Sequence, residues 1–267
     1  MEISRRNFIK TAAKHLLGGI IVYGTFPSLV RSSFETQNVT KSLSIANFNE
    51  RDWEKHYWGF VCNIDRCIGC GRCVVACKRE NKVPWGPKYY RTWVERYVIS
   101  MGGEIFADSP NGGRDGFKSD YLNLKYRNLK VMKSFFVPKL CNQCDNPPCV
   151  KVCPTGASYK TKDGVILVNK KICIGCKYCI VACPYEARFM LPEGVIDKCT
   201  YCYHRITKGF LPACVEVCPV GTRIFGDLRD LESQVQKIFR EEKVSILKPS
   251  LGTHPKVYYM GLEKGVE

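Results

Sequence analysis

The residues with the most chemical capacity in this chain are its cysteines, and their spacing tells more than their number. The 267-residue sequence holds 17 of them, and sixteen fall into four groups of four. The first is Cys67-x2-Cys70-x2-Cys73-x3-Cys77 and the second is Cys141-x2-Cys144-x4-Cys149-x3-Cys153. The third is Cys173-x2-Cys176-x2-Cys179-x3-Cys183 and the fourth is Cys199-x2-Cys202-x11-Cys214-x3-Cys218. Pro154, Pro184 and Pro219 follow the last cysteine of groups two, three and four. Three thiolates in a tight C-x2-C-x2-C loop can reach three corners of one iron–sulfur cubane. The fourth cysteine is displaced about 6 Å along a helical turn, at ~1.5 Å per residue, so it serves the partner cluster of a two-cluster unit. The proline ends that turn. Gly69, Gly71 and Gly175 let the backbone wrap closely and aim its N–H groups at the sulfides.

Other cysteine chemistries fit less well. Structural zinc sites use two separated C-x2-C pairs, not a third cysteine at x2 and a fourth before proline, so no zinc is expected. Cysteines at i, i+3 and i+6 cannot readily cross-link one another. No C-x-x-C-H occurs, so no covalent c-type haem site is present.

The elements that must carry these groups can be read around them. Between groups two and three, Ala157–Lys160 and Val165–Val168 flank Lys162-Asp163-Gly164, a hairpin signal. Groups two and three read as one complete ferredoxin-like unit, and groups one and four as a second unit built from the two ends of the chain. The expected fold is α+β: two ferredoxin-like dicluster units, one inserted within the other, plus connecting loops. A signal and linker occupy 1–46. The first part of the outer unit is 53–140, with a Gly- and Asn-rich insertion at 100–133. The inserted unit is 141–185, and 186–260 holds the second part of the outer unit with the C-terminal segment. Met101-Gly102-Gly103 and Pro110-Asn111-Gly112-Gly113 read as turns, and the insertion as a partner-contact arm or as surface decoration.

A formal charge of +16 invites a nucleic-acid reading, but no basic run or recognition-helix pattern accompanies it. Four thiolates around a doubly positive core leave each filled site at about −2, which brings +16 to about +8. The basicity reads as compensation for anionic clusters, and no nucleic-acid partner is expected. Part of it also sits in Ser4-Arg5-Arg6-Asn7-Phe8-Ile9-Lys10, which matches a twin-arginine export signal. The apolar stretch Leu16–Val30 is broken by Gly18, Gly19, Gly24 and Pro27, and suits a signal core better than a membrane span. There is no A-x-A cleavage site, and Ser44-Ile45-Ala46 is a distant candidate. That export route carries proteins already folded, so clusters can be assembled in the reducing cytoplasm first.

Cys62, the seventeenth cysteine, lies in the strand-like run Phe60–Ile64 and reads as a buried structural thiol rather than a ligand. His15, His56, His204 and His254 have no metal-ligand companions at suitable spacing. His204 and Arg205, just past Cys202, either tune a potential electrostatically or simply pack in solvent. Trp53, Trp58, Trp85 and Trp93 are expected to fill small cores or subunit contacts. No nucleophile–base set or phosphate loop stands out, so no catalytic site is expected.

These quartets, in this order and with these gaps, resemble the four-cluster iron–sulfur subunit of membrane-linked respiratory oxidoreductases. That family includes the electron-transfer subunits of polysulfide, dimethyl sulfoxide, tetrathionate and nitrite reductase systems. The likeness runs from Tyr57 to Tyr259 and is carried by Cys67-Ile68-Gly69-Cys70, Leu140-Cys141-Asn142-Gln143-Cys144, Pro147-Pro148-Cys149-Val150, Asp197-Lys198-Cys199-Thr200-Tyr201-Cys202 and Pro212-Ala213-Cys214. The resemblance implies four [4Fe–4S] clusters. One is held by Cys67, Cys70, Cys73 and Cys218, a second by Cys141, Cys144, Cys149 and Cys183. A third is held by Cys173, Cys176, Cys179 and Cys153, and a fourth by Cys199, Cys202, Cys214 and Cys77. It implies a relay of single electrons on the periplasmic side, attached to the membrane through partners: a polytopic quinone-interacting subunit and a catalytic subunit of molybdopterin type. Two rival functions stay open. One is the same relay in a molybdenum-free membrane complex of sulfur metabolism or with multihaem cytochromes, and the other is a free periplasmic polyferredoxin.

Overall fold

The computed structural model describes residue 45 and residues 50–117, 130–263 and 265–266. The signal and linker read over 1–46, Ile45 aside, and residues 118–129 of the insertion lie outside them. The described residues belong to one unit, 43–267.

The described chain enters β1 (Trp58–Asn63), buried at every position but the last, and then α1 (Arg72–Glu80), which holds Cys73 and Cys77. Next come β2 (Thr92–Ser100), β3 (Ile105–Asp108) and β4 (Val131–Leu140). Short helices and hairpins then alternate. They are α2 (Pro148–Lys151), β5 (Ser158–Lys160), β6 (Ile166–Val168), α3 (Tyr178–Val181), β7 (Arg188–Met190), β8 (Ile196–Lys198), α4 (Tyr203–Ile206) and α5 (Ala213–Glu216). Then follow β9 (Arg223–Asp227), α6 (Gln234–Glu241), β10 (Val244–Ser245) and β11 (Val257–Met260).

Strands from far along the chain meet on β1. There β9 pairs antiparallel, with Phe60 opposite Phe225, and β11 pairs parallel, with Phe60 opposite Val257. The sheet order is β10-β11-β1-β9. The cause lies in composition: Trp58-Gly59-Phe60-Val61-Cys62 offers water nothing on either face, so it must be covered on both. Trp58 stacks on Phe225 with ring centroids 5.3 Å apart, and Phe60 lies 5.9 Å from Tyr201. Full burial of such a ring contributes on the order of 1.5–3 kcal/mol. Trp58 Nε1 donates to Asp163 Oδ2 at 2.8 Å, which ties the hairpin between the second and third cysteine groups onto β1.

That hairpin forms around Lys162-Asp163-Gly164: β5 and β6 set Ser158 opposite Val168 and Lys160 opposite Ile166. A second hairpin, β7–β8, joins groups three and four. Its turn signal, Leu191-Pro192-Glu193-Gly194, ends on a glycine with φ +82. Between groups one and two, β2 pairs along its length with β4 and near its end with β3.

The insertion read at 100–133 therefore supplies β3 and the start of β4, with turns at its glycines. Its middle part folds over the first cysteine loop. A Cβ on Gly71 would stand 2.3 Å from the Gly113 carbonyl oxygen, and Gly71 has φ +72, so glycine alone meets both demands. Phe117 packs on Phe136 at 4.9 Å, and Phe136 lies against Gly69. Gly113, Arg114 and, through Phe136, Phe117 therefore cover this loop.

Candidate iron–sulfur sites

One-turn helices set the cysteines. The amides of Cys153, Cys183 and Cys218 bond the Val150, Ile180 and Val215 carbonyls at 3.1–3.2 Å, and the proline after each stops the helix there. Within α1, Cys73 and Cys77 are one turn apart and face different neighbours.

Three sets of four thiols line three hollows. Cys67, Cys70, Cys73 and Cys218 surround one hollow together with Gly69, Gly71 and Arg223. Cys141, Cys144, Cys149 and Cys183 surround another with Arg188. Cys153, Cys173, Cys176 and Cys179 surround a third with Gly175 and Ser158. The fourth set is deeper. Cys77, Cys199, Cys202 and Cys214 are all buried, and the other three are the thiols nearest in charge to Cys77. Asn81 Nδ2 spans this set, 3.6 Å from Cys77 Sγ and 3.5 Å from Cys202 Sγ. Among the described residues, no three of His, Cys, Asp and Glu converge at single-ion spacing; the thiols stand around hollows instead.

Neighbouring sulfurs also give the sets an order. Cys73 of the first set lies by Cys214 of the fourth, and Cys199 of the fourth lies by Cys141 of the second. Arg188 reaches Cys149 of the second and Cys179 of the third. The line runs first, fourth, second, third. Of the 17 cysteines, only Cys70 and Cys176 are exposed, one at each end of that line.

The surroundings suit anionic sulfur joined to a positive core. Burial pushes Cys67 up to about 11 and Cys144 and Cys199 up to about 12. Burial and the neighbouring sulfurs push Cys77 upward too, while for Cys214 burial is opposed by Arg223 and still prevails. Four such thiols cannot ionise together unless a cation joins them. Cys153 goes the other way: burial raises it, but Ser158, Thr155 and Ala157 donors outweigh that. The Ser158 amide lies 3.4 Å from Cys153 Sγ and the Tyr201 amide 3.5 Å from Cys199 Sγ, the kind of outer hydrogen bond that tunes an iron–sulfur centre. Cysteine-only donors around hollows, with amides aimed at sulfur, fit a cubane. Two wider clefts, one beside Glu95, Lys139 and Tyr185 and one beside Pro87, Tyr90 and Phe189, are lined by none of the sixteen cysteines.

Two stretches match the family of 4Fe-4S dicluster domains, residues 66–157 and 132–228. The chain is 39% identical over 212 residues to a tetrathionate reductase subunit of Salmonella typhimurium, covering 78% of this chain and 74% of that one. It is 43% identical over 243 residues to a tetrathionate reductase subunit of Archaeoglobus fulgidus, covering 90% and 100%. This chain belongs to the iron–sulfur subunit family of respiratory oxidoreductases. It is also 30% identical over 303 residues to an Hdr-like menaquinol oxidoreductase iron–sulfur subunit of Archaeoglobus fulgidus, covering 97% and 98%. As an iron–sulfur subunit with two dicluster domains, it carries four [4Fe–4S] clusters and relays electrons.

Other residues singled out from sequence take structural places in this subunit. Cys62 is fully buried in β1, and burial pushes its thiol up to about 12. Cys62→Ala is expected to keep the full iron content and to cost about 1–2 kcal/mol through the small cavity left. Iron per chain and the thermal midpoint check this, and loss of a quarter of the iron would make Cys62 a ligand. His204 Nε2 pairs with Glu80 Oε1 at 2.7 Å and Arg205 with Glu80 Oε2 at 3.1 Å, binding α4 to α1. His56 pairs with Asp227 at 2.6 Å. Trp58 is in the core, whereas Trp85 is half exposed. Sequence reading missed Asn81, Arg188 and Arg223, which touch sulfur without being ligands.

Proposed function

We propose that this chain relays single electrons between a quinone-reactive membrane subunit and a catalytic subunit of molybdopterin type, with no catalytic centre of its own. The observation that carries this reading is the line of four thiol sets with an exposed cysteine at either end. In this reading each set of four cysteines holds one cluster, and the units nest, the second and third groups lying within the first and fourth. Each cluster supplies a site that takes up and gives back one electron. The chain's own part is to space those sites, shield the inner two from water and expose the outer two. Exposed apolar side chains near Cys176, Val181 at 85% and Ile174 at 68%, offer one docking face; Ile68 beside Cys70 marks the other end.

The chain is exported by the twin-arginine route and works on the periplasmic side, peripheral to the membrane. No helix among the described residues is long and apolar enough to cross a membrane; in this reading a polytopic partner supplies the attachment. The same relay in a molybdenum-free membrane complex is the second reading; a relative that aligns along 97% of this chain is named for menaquinol oxidation, which supports a quinone-linked partner in either reading.

Anaerobically purified protein is expected to hold about sixteen iron and about sixteen acid-labile sulfide per chain, as four Cys-ligated cubanes require. Stoichiometric zinc without labile sulfide would overturn the reading. A native form that purifies only as a free monomer would sink the complex, and molybdenum analysis of the co-purified complex decides between the two readings.

A further inference from the structure

Arg188 and Arg223 occupy the same place in two repeats of the sequence. Each lies five residues past the last cysteine of its group, in Cys183-Pro184-x3-Arg188 and Cys218-Pro219-x3-Arg223, and each is the first residue of a strand, β7 and β9. Both are buried, at 4% and 3% exposure. A guanidinium keeps its charge inside a protein, so a buried one needs nearby anions or a complete set of acceptors.

Neither arginine has the complete set. Arg188 donates from Nη1 to Ser158 Oγ at 2.7 Å and from Nη2 to Cys149 Sγ at 2.9 Å, and its Nε has no partner. Arg223 donates from Nη2 to Thr92 Oγ1 at 2.8 Å, and its Nη1 has no partner. What each faces is sulfur, from two sets at once. Arg188 lies by Cys149 of the second set and Cys179 of the third. Arg223 lies by Cys73 of the first set and Cys214 of the fourth. At the remaining junction, between the fourth and second sets, sits Lys198, whose ammonium donates to the Cys199 carbonyl at 2.7 Å and to that of Ile166. Two carbonyls take two of that lysine's three donors, with Cys141, Cys199 and Cys149 also near it; the arginines meet no carbonyl there, only a hydroxyl and sulfur.

We propose that Arg188 and Arg223 are positioning residues for electron transfer, fixed cations set between the clusters of each pair that hold both reduction potentials up and lessen the repulsion between reduced neighbours. This rests on the ligand sets given above. An electron arriving at either site adds negative charge beside the guanidinium, and shielding from water strengthens the attraction well beyond its value in bulk. Amides that bond one sulfur act on one site. A cation between two sites acts on both and on the interaction between them.

The test uses full-length protein loaded anaerobically, with R188Q, R188K, R223Q and R223K compared by iron and sulfide analysis and by redox titration followed by electron paramagnetic resonance. R188Q is expected to lower two of the four midpoint potentials by at least tenfold in the reduction equilibrium, about 59 mV for a one-electron couple, and to leave the other two in place. R223Q is expected to lower the complementary two. The lysine variants keep the charge and stay near the wild-type values. Fully loaded glutamine variants with unmoved potentials overturn the proposal, as do lysine variants that shift as far as the glutamine ones. Should the glutamine variants lose iron, retention of iron by the lysine variants supports the cation role and equal loss overturns it. Wild-type protein without labile sulfide overturns both this proposal and the relay, whereas unmoved potentials in loaded protein overturn this proposal alone.

Discussion

Replacing Cys77 with alanine is expected to empty a site more than a hundred residues away in sequence. Iron should fall by about a quarter, from about sixteen to about twelve per chain, and the lost spectrum should be that of the cluster on Cys199, Cys202 and Cys214. The loop of Cys67, Cys70 and Cys73, though nearer in sequence, stays loaded. The reason is helical geometry: Cys73 and Cys77 differ by one turn of α1, about 6 Å along its axis at ~1.5 Å per residue, enough to place them on different hollows. Burial and then the Cys199, Cys214 and Cys202 sulfurs push Cys77 well above the usual thiol range. Cys218→Ala should do the converse and empty the first loop. Spectra of Cys214→Ala and Cys67→Ala serve as references. If Cys77→Ala matches Cys67→Ala instead, the crossing is wrong and each group serves its own cluster.

Arg91→Ala is expected to be the most damaging change away from the cysteines. Arg91 donates from Nε to Asp197 Oδ2 at 3.0 Å and from Nη2 to Oδ1 at 2.8 Å, a two-pronged pair buried at both ends. Its Nη1 reaches Asn81 Oδ1 at 2.8 Å and Thr200 Oγ1 at 3.2 Å. Removing the cation leaves Asp197 charged and buried, with the Lys198 amide on Oδ1 at 2.9 Å and the Lys170 ammonium 4.0 Å from Oδ2 as weaker compensation. Breaking a buried pair from one side costs about 3–5 kcal/mol, a fall in thermal midpoint on the order of 10 °C for a domain of this size. Because Asn81 loses its anchor while its amide faces Cys77 and Cys202, the fourth set should bleach first. The double variant R91M/D197L, which removes both charges, should recover most of the stability. Bleaching of cluster absorbance on heating measures all three proteins, and a single-variant loss within 1 kcal/mol would falsify this account.

The cysteine groups were the most legible part of the sequence because their geometry is local: spacing within a turn decides which three side chains can share a hollow and which one points away, whereas the site each fourth cysteine joins was implied by the family resemblance. The β5–β6 hairpin was legible for the same reason, through Lys162-Asp163-Gly164. What joins distant segments was harder to read. The run Phe60–Ile64 reads as a strand, two residues short at its start and one long at its end, but nothing in its period says that β9 and β11 are the covering strands. The packing of Gly113 on Gly71 was hidden because a glycine pair looks like an ordinary turn until another backbone lies 2.3 Å from its missing Cβ. Arg188 and Arg223 escaped notice because a search for ligands passes over arginine. Their shared offset from Cys183 and Cys218 was visible all along.

The place of β1 in its sheet also bears on when the protein can mature. Its neighbours β9 and β11 come from residues 223–227 and 257–260, so on the ribosome β1 waits, apolar and unpaired, while nearly the whole chain is made. At about 5–20 residues per second that wait lasts some tens of seconds or less. Residues 141–183 need no such delay. Iron delivery to the second and third sets, one half of the line, can precede delivery to the fourth and first, and a message cut short before residue 223 would yield a chain whose first strand is left as a sticky edge.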